Sequence, residues 1–254
     1  MKITSYTKPK FKPELNELVD YLALHGIPQE AHCIYTGRNN VYTLVCDNKI
    51  LSIKDFKKPK FPNCYIYTNF RKSKARRSFE HAETLLAKGI PTPEPLGWIE
   101  ITENLKLTRS YYICAQSSKT RNLRNWENWD KATQDVVLKA YAELMHKMHN
   151  QGILHLDLSP GNVLWDNNKT TSEVEFDVID LNRMTIKKRP LKLSEALSNF
   201  KNINLIEDET HKLAYLYGIV GGYPADKVAT AGVERLLNFK KRKKRLKRLK
   251  NLFR

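Results

Sequence analysis

No stretch of the 254-residue chain approaches the roughly 18 consecutive apolar residues of a membrane-spanning helix, so none is expected. The amino end, MKITSYTKPKFKPELNEL, lacks an apolar core segment, and no secretory signal is expected there. Cysteine is scarce. Cys33, Cys46, Cys64 and Cys114 are far apart and form no C-x-x-C pair, which argues against a disulfide framework or a zinc site and for a reducing, cytosolic setting. Glycine is scarce too, at ten residues, and no internal repeat or low-complexity linker precedes residue 239.

Acid is the most telling shortage. Lys and Arg total 44 against 27 Asp and Glu, a formal net charge of +17. Residues 239–254 carry ten Lys/Arg and no acid, more than half of that excess. A second concentration runs from Lys54 to Arg77, with nine Lys/Arg against the single acid Asp55. Fields of this sign attract polyanions such as phosphorylated lipid, nucleic acid or nucleotide phosphates.

The apolar residues, at 41% with Tyr and Cys included, suffice for a core. Leu15, Leu18, Val19 and Leu22 space a short helix over Glu14–His25. Val41–Val45 and Ile50–Ile53 read as strands joined by the turn residues Asp47 and Asn48, hence a hairpin. Phe79, Ala82, Leu85 and Leu86 predict a helix over Ala75–Lys88, ended by Gly89. Pro91, Pro93 and Pro95 then force an extended path into strands at Gly97–Ile101 and Ser110–Ala115. A long helix is expected from Asp130 to about Asn150, with Val136, Val137, Ala140, Leu144 and Met148 inward. Short strands follow at Val163–Trp165 and Phe176–Ile179, and the chain beyond Leu191 reads as helical. A strand-rich first half before a helix-rich second half predicts an α+β protein of two lobes, divided as 1–115, 116–238 and a basic tail at 239–254.

The chemistry concentrates in GILHLDLSPGNVLWD, residues 152–166, and EFDVIDLNRM, residues 175–184. Asp157 and Asn162 stand five apart among the turn formers Ser159, Pro160 and Gly161, just before an apolar strand. A second strand then ends in Asp180. A carboxylate and an amide on a tight loop, with another carboxylate at a strand end, can hold a hard divalent cation and orient a hydroxyl. The spacing H-x-D-x-x-x-x-N with a later Asp resembles the catalytic loop and metal-binding Asp of the protein-kinase-like fold. The other parts follow in kinase order: a strand with Lys54, then a helix carrying Glu80 and Glu83.

Departures from eukaryotic protein kinases narrow the resemblance. Ser159 stands where those enzymes carry Lys, Asp180-Leu181-Asn182 replaces D-F-G, no A-P-E follows, and the glycine-rich loop shrinks to Gly37-Arg38-Asn39-Asn40-Val41. H-x-D-x-S-P-G-N-V-L, I-D-L-N-R and G-I-P-T-P-E-P-L-G together resemble the bacterial lipopolysaccharide kinases. These are the Kdo and heptose kinases, relatives of RIO and aminoglycoside kinases, and the likeness covers Tyr35 to Met184. The resemblance implies a two-lobed protein-kinase-like fold and an ATP-dependent kinase using Mg²⁺. Its acceptor would be a sugar hydroxyl of an anionic glycolipid, of lipid A–Kdo type, at the cytoplasmic face of the inner membrane. It makes Asp157 the residue that orients the acceptor hydroxyl, and Asn162 and Asp180 the metal ligands. Lys54 would contact ATP phosphates beside Gly37, paired with Glu80 or, one turn later, Glu83. Arg38, Asn39 and Asn40 could donate hydrogen bonds to those phosphates. A RIO-like protein kinase and a catalytically inactive binding module are the competing readings.

In the tail, Leu246, Leu249, Leu252 and Phe253 make a narrow apolar stripe on a cationic helix. Residues 240–254 are therefore expected to lie on an anionic membrane surface. Nucleic acid is not the expected partner, because no aromatic interleaving or recognition motif accompanies the charge.

Overall fold

In this computed structural model, which describes residues 1–124, 126–203 and 205–252, the chain divides into two units: 1–118 with 180–182, and 119–179 with 183–254.

The first unit holds strands β1 (Lys2–Thr7), β2 (His32–Thr36), β3 (Asn40–Cys46), β4 (Lys49–Phe56), β5 (Pro95–Glu103) and β6 (Lys106–Ala115). Helices α1 (Lys12–Leu24), α2 (Asn63–Asn69) and α3 (Lys74–Ala87) accompany them. The strands form one antiparallel sheet in the order β1-β5-β6-β4-β3-β2. The hairpin expected at Asp47 and Asn48 is present, with Cys46 facing Lys49 and both turn residues at positive φ (46° and 60°). Such a turn matches strand twist, and Asp and Asn tolerate its left-handed backbone.

Alternation along the strands assigns the two sheet faces. Leu51 and Ile53 of β4, Ile99 of β5 and Ile113 of β6 pack with Leu15, Leu18, Val19 and Leu22 of α1 in one apolar core. Lys54 and its cross-strand partner Tyr112 are out of phase with that set and lie on the opposite face. α3 covers that face: Arg76 stacks on Trp98, ring centroid 5.2 Å away, while Phe79, Ala82 and Leu85 are buried. Ser73 caps α3 by accepting from the Arg76 N–H at 3.0 Å, and Gly89 follows its end at φ 67°.

The second unit is built on α4 (Lys131–Asn150), α5 (Leu193–Ala196), α6 (Glu207–Gly221) and α7 (Ala225–Leu252). Short strands complete it: β7 (Arg121–Asn122), β8 (Ile153–His155), β9 (Val163–Asn167), β10 (Val174–Val178) and β11 (Met184–Ile186). They form two sheets, β10-β9-β7 and β11-β8. Asp130 caps α4 by accepting from Thr133 N–H at 2.8 Å. The buried stripe of α4 runs through Val137, Leu138, Tyr141, Leu144, Met145 and Met148. Val136, expected inside, is 57% exposed, because Tyr141 rather than Ala140 sets the centre of the packed face.

α6 and α7 approach closely through glycine. A Cβ on Gly218 would meet Ala225 Cα at 2.8 Å, and one on Gly232 would meet Ala214 Cβ at 2.7 Å. α7 then continues without a break past residue 238 to Leu252, so the basic block is the last half of a 28-residue helix. Leu246 and Leu249 are 50% and 43% exposed there, and Phe253 lies outside the described residues. Among the described residues no helix is long and apolar enough to cross a membrane.

Candidate active site

Asp157 and Asn162 belong to the second unit, on the connection from β8 to β9. His155, fully buried, organises that connection. The Asp157 N–H donates to His155 Nδ1 at 3.1 Å, so the opposite ring nitrogen carries the proton and donates to the Ile179 carbonyl at 3.2 Å. Asn199 Nδ2 donates to the His155 carbonyl at 2.6 Å. The Ser159 N–H donates to the Asp157 carbonyl at 2.8 Å, and Asn162 Nδ2 donates to the same carbonyl at 2.7 Å. The loop therefore closes on itself, and Asn162 Oδ1 makes no hydrogen bond among the described residues. The Ile179 N–H donates to the Asn162 carbonyl at 2.9 Å, which fixes the residue immediately before Asp180.

Arg183 was quoted in the sequence motif without a role. Its Nη1 donates to Asp157 Oδ2 at 3.3 Å, and its carbonyl accepts from the Leu156 N–H at 2.9 Å. A cation thus reaches the Asp157 carboxylate although Ser159 occupies the usual Lys position. Arg124 is a second residue the sequence did not reveal. Its guanidinium packs on Gly161 so closely that a Cβ there would collide with it.

Lys54, Asp180, Glu80 and Gly37 belong to the first unit. Lys54 Nζ donates to Asp180 Oδ1 at 2.5 Å, and Asn182 Nδ2 donates to the same oxygen at 2.6 Å. Asp180 sits at φ 59°, a left-handed conformation that costs energy for any side chain and concentrates at functional loops. α3 holds this loop in place. Arg77 Nη1 donates to the Asn182 carbonyl at 3.0 Å, and His81 Nδ1 donates to the Leu181 carbonyl at 2.6 Å. Burial and the Arg77 charge lower the His81 pKa, while the Leu181 hydrogen bond opposes them.

The expected pairing of Lys54 with α3 is corrected. Glu80 instead accepts from Lys72 at 2.8 Å and Arg76 at 3.0 Å, and Glu83 pairs with Lys8 at 2.8 Å. The hydrogen bonds from Lys72 and Arg76 outweigh burial and lower the Glu80 pKa. α3 is rotated so that Arg77 and His81, not its glutamates, face the Asp180 loop.

The helix also delivers Lys74. Its Nζ lies 5.9 Å from the Phe56 ring centroid, and Lys54 Nζ lies 5.5 Å from the same ring. Burial, then the neighbouring charges of Arg38, Arg77 and Lys54, push the Lys74 ammonium down, with only Asp180 acting the other way. Lys74 has no ion-pair partner among the described residues. Gly37 lies in the three-residue link 37–39 between β2 and β3, and its carbonyl accepts from Lys57 Nζ at 2.8 Å. Asn40 Nδ2 donates to Tyr42 Oη at 3.2 Å and is thus committed within the sheet, while Asn39 Oδ1 and Asn40 Oδ1 are buried without partners.

The donor chemistry fits a nucleotide triphosphate and a hard cation. The charges acting on Lys74 are the cations Arg38, Arg77 and Lys54 against the single carboxylate of Asp180, which leaves an excess of positive charge for phosphate oxygens. Asp180 in the first unit offers a carboxylate, and Asn162 in the second an amide oxygen with no hydrogen bond among the described residues, each a ligand of the type Mg²⁺ takes.

Comparison with known proteins agrees with this chemistry. The model of the lipopolysaccharide kinase (Kdo/WaaP) family matches residues 31–217. Among solved structures, WaaP in complex with acyl carrier protein superposes with a TM-score of 0.64 at 14% identity, covering 97% of this chain and 99% of that one. The Rio2 kinase of Chaetomium thermophilum, solved as an ADP/Mg²⁺–phosphoaspartate complex, gives a TM-score of 0.51 at 14% identity, over 89% of this chain and 76% of that one. A Ralstonia eutropha protein assigned as an aminoglycoside phosphotransferase gives 0.53 at 11% identity, over 89% and 88%. At such identities these structures establish the α+β protein-kinase-like fold. No curated protein matches the sequence.

Proposed function

The chain belongs to the lipopolysaccharide kinase (Kdo/WaaP) family, and from that premise we propose that it transfers the γ-phosphoryl group of ATP to a Kdo or heptose hydroxyl of the lipopolysaccharide inner core, at the cytoplasmic face of the inner membrane. It is a kinase, a phosphotransferase acting on hydroxyl groups. The observation that carries the phosphoryl-transfer reading is the loop that presents Asp157, closed by His155 and Asn162 and faced by Arg183.

In this reading Asp157 accepts the hydrogen bond of the acceptor hydroxyl and aligns its oxygen for in-line attack, taking the proton late in transfer. Arg183 holds the Asp157 carboxylate in one orientation. Lys54 and Lys74 bind phosphate oxygens, with Arg38 at the edge of the same cluster. Asn162 and Asp180 would hold Mg²⁺, which supplies counter-charge to the transferring phosphoryl group. Asp180 reaches that role already oriented by Lys54 and Asn182.

An anionic, membrane-embedded acceptor also accounts for the excess of positive charge. The exposed basic half of α7, with Leu246 and Leu249 on it, would rest on anionic lipid. The WaaP neighbour is bound to acyl carrier protein, and a carrier protein is the protein partner to assay alongside lipid.

The test is incubation with labelled ATP, Mg²⁺ and a panel of lipid A–Kdo and heptose-bearing acceptors, followed by mass spectrometry. Label in the glycolipid supports the reading. Label only in protein would favour a RIO-like protein kinase, and no transfer to any acceptor would leave an inactive binding module.

A further inference from the structure

The connection from β4 to α3 carries a surface that the catalytic reading leaves unexplained. α2 spans seven residues, about 10 Å, and packs on β6 through Cys64, which is 6% exposed. Thr68 Oγ1 donates to the Cys64 carbonyl at 3.0 Å on the same inner side. Ile66 lies on the outward face with Phe70, four residues later, whose N–H donates to the Ile66 carbonyl at 2.9 Å. Phe61 precedes the helix and meets Tyr65 edge-on, with centroids 6.2 Å apart. Phe61 is 80% exposed and Phe70 87%, so the two rings bracket α2 as bare apolar tips. A ring lining a groove would be shaded by the groove walls. These rings project instead.

The segment that carries them is basic. Residues 56–79 hold eight Lys/Arg and no acid. Lys58, Lys60, Arg71 and Lys72 are exposed within three residues of one ring or the other in sequence, Lys72 pairing with Glu80. Arg71 and Arg77 lie 5.9 and 5.7 Å from the Tyr67 ring, and Lys106 lies 5.3 Å from Tyr65, so tyrosines with cations on their faces complete the patch. Two exposed phenylalanines would be a solubility liability in water. Set in a segment with Lys58, Lys60 and Arg71, where Glu80 pairs with Lys72, they match the chemistry of an anionic bilayer interface, which takes aromatic rings at headgroup depth and neutralises the lysines around them.

We infer that the α2 segment is a membrane-docking surface, in which Phe61 and Phe70 enter the interface of an anionic bilayer while Lys58, Lys60 and Arg71 bind lipid phosphates. A concave protein partner is disfavoured by the projection of both rings. The attachment is additional to that proposed for α7, and it differs from it physically. α7 is dominated by charge, whereas α2 carries the more exposed apolar residues, so α2 supplies the salt-resistant part of binding. The inference uses the proposed glycolipid acceptor only for its biological purpose. Vesicle binding is measured without acceptor or ATP, so its failure and the failure of the kinase reading remain distinct.

The experiment is flotation of the full chain with vesicles of phosphatidylglycerol and phosphatidylethanolamine, against pure phosphatidylcholine, at low and high salt. Wild type should partition to the anionic vesicles. The double variant Phe61→Ser/Phe70→Ser should bind them more weakly, by roughly tenfold for each ring, and should lose nearly all binding that survives high salt. Both rings are solvent-exposed, so the variant should keep its circular dichroism and its phosphorylation of a water-soluble acceptor. A second variant, Phe61→Trp/Phe70→Trp, should retain vesicle binding. Unchanged partition of the Ser variant overturns the inference, as does absence of wild-type binding to anionic vesicles. Loss of binding to acyl carrier protein with vesicle partition intact also overturns it and assigns the surface to a protein.

Discussion

Asp157 and Arg183 illustrate how single side chains share the work. Asp157→Asn keeps the loop geometry, because the backbone groups of residue 157 make the hydrogen bonds to His155 and Asn162. It removes the carboxylate that, in the proposed mechanism, aligns and deprotonates the hydroxyl. Turnover should therefore fall by about 10²–10⁴ while ATP affinity stays at the wild-type level; a turnover near wild type would remove Asp157 from its role. Arg183→Met should lower kcat on the order of tenfold through loss of orientation, with Arg183→Lys recovering much of it and ATP affinity unchanged in both. Lys74 is tested by binding rather than turnover. Lys74→Gln should weaken ATP by about tenfold yet leave adenosine binding unaltered, because the half-buried ammonium can serve only phosphate. Equal ATP affinity in isothermal titration would show that the cluster around Phe56 does not hold the nucleotide.

At the scale of elements, α4 carries a pH-sensitive joint. His149, 2% exposed, lies between Tyr217 Oη at 3.0 Å and Asn199 Oδ1 at 2.8 Å, tying α4 to α6 and to the turn after α5. Burial, opposed by the Asn199 hydrogen bond, lowers its pKa from the ordinary 6.5 to about 4. The unfolded chain therefore binds a proton between those values that the folded chain refuses, and stability rises with pH across that window. The contribution is complete above about pH 6.5 and is lost as pH falls toward 4, a difference of roughly 3 kcal/mol. Urea unfolding at pH 7.5 and 4.5 should show this loss in wild type and about 2–3 kcal/mol less of it in His149→Gln. Parallel losses in both proteins would place the acid sensitivity elsewhere.

Elements also show what the sequence could express. The β3–β4 turn was legible because Asp47 and Asn48 act locally, and the α3 boundaries because Gly89 does the same. The catalytic loop was legible because His155, Asp157 and Asn162 satisfy one another over a few residues. The partner of Lys54 was not. It depends on the rotation of α3 against β5 and β6, fixed by the burial of Phe79, Ala82 and Leu85, and that rotation turns Arg77 and His81 to the Asp180 loop while Glu80 is taken by Lys72 and Arg76. Arg183 was hidden for a similar reason. Only the antiparallel pairing of β8 with β11 brings residue 183 beside residue 157.

For the whole molecule, the +17 charge is unevenly placed, and ten of its cations lie in residues 239–254. Deleting residues 240–254 should reduce binding to anionic vesicles at low salt and spare activity on a water-soluble acceptor, since every α7 residue from Lys241 to Arg248 is exposed. Binding by the full chain should drop steeply as salt rises and the Debye length shrinks from about 10 Å at 0.1 M to about 3 Å at 1 M. Loss of activity on the soluble acceptor after truncation would instead make the end of α7 part of the folded unit.

Among all these measurements, the fate of the phosphoryl group bears most directly on the proposed function. Wild type and Asp157→Asn are incubated with ATP, Mg²⁺ and lipid A–Kdo or heptose-extended acceptor, and the glycolipid is fragmented by tandem mass spectrometry. The account predicts one added phosphate, confined to an inner-core sugar and absent with Asp157→Asn. A phosphate on no glycolipid, or one that persists in the Asp157→Asn reaction, would contradict it.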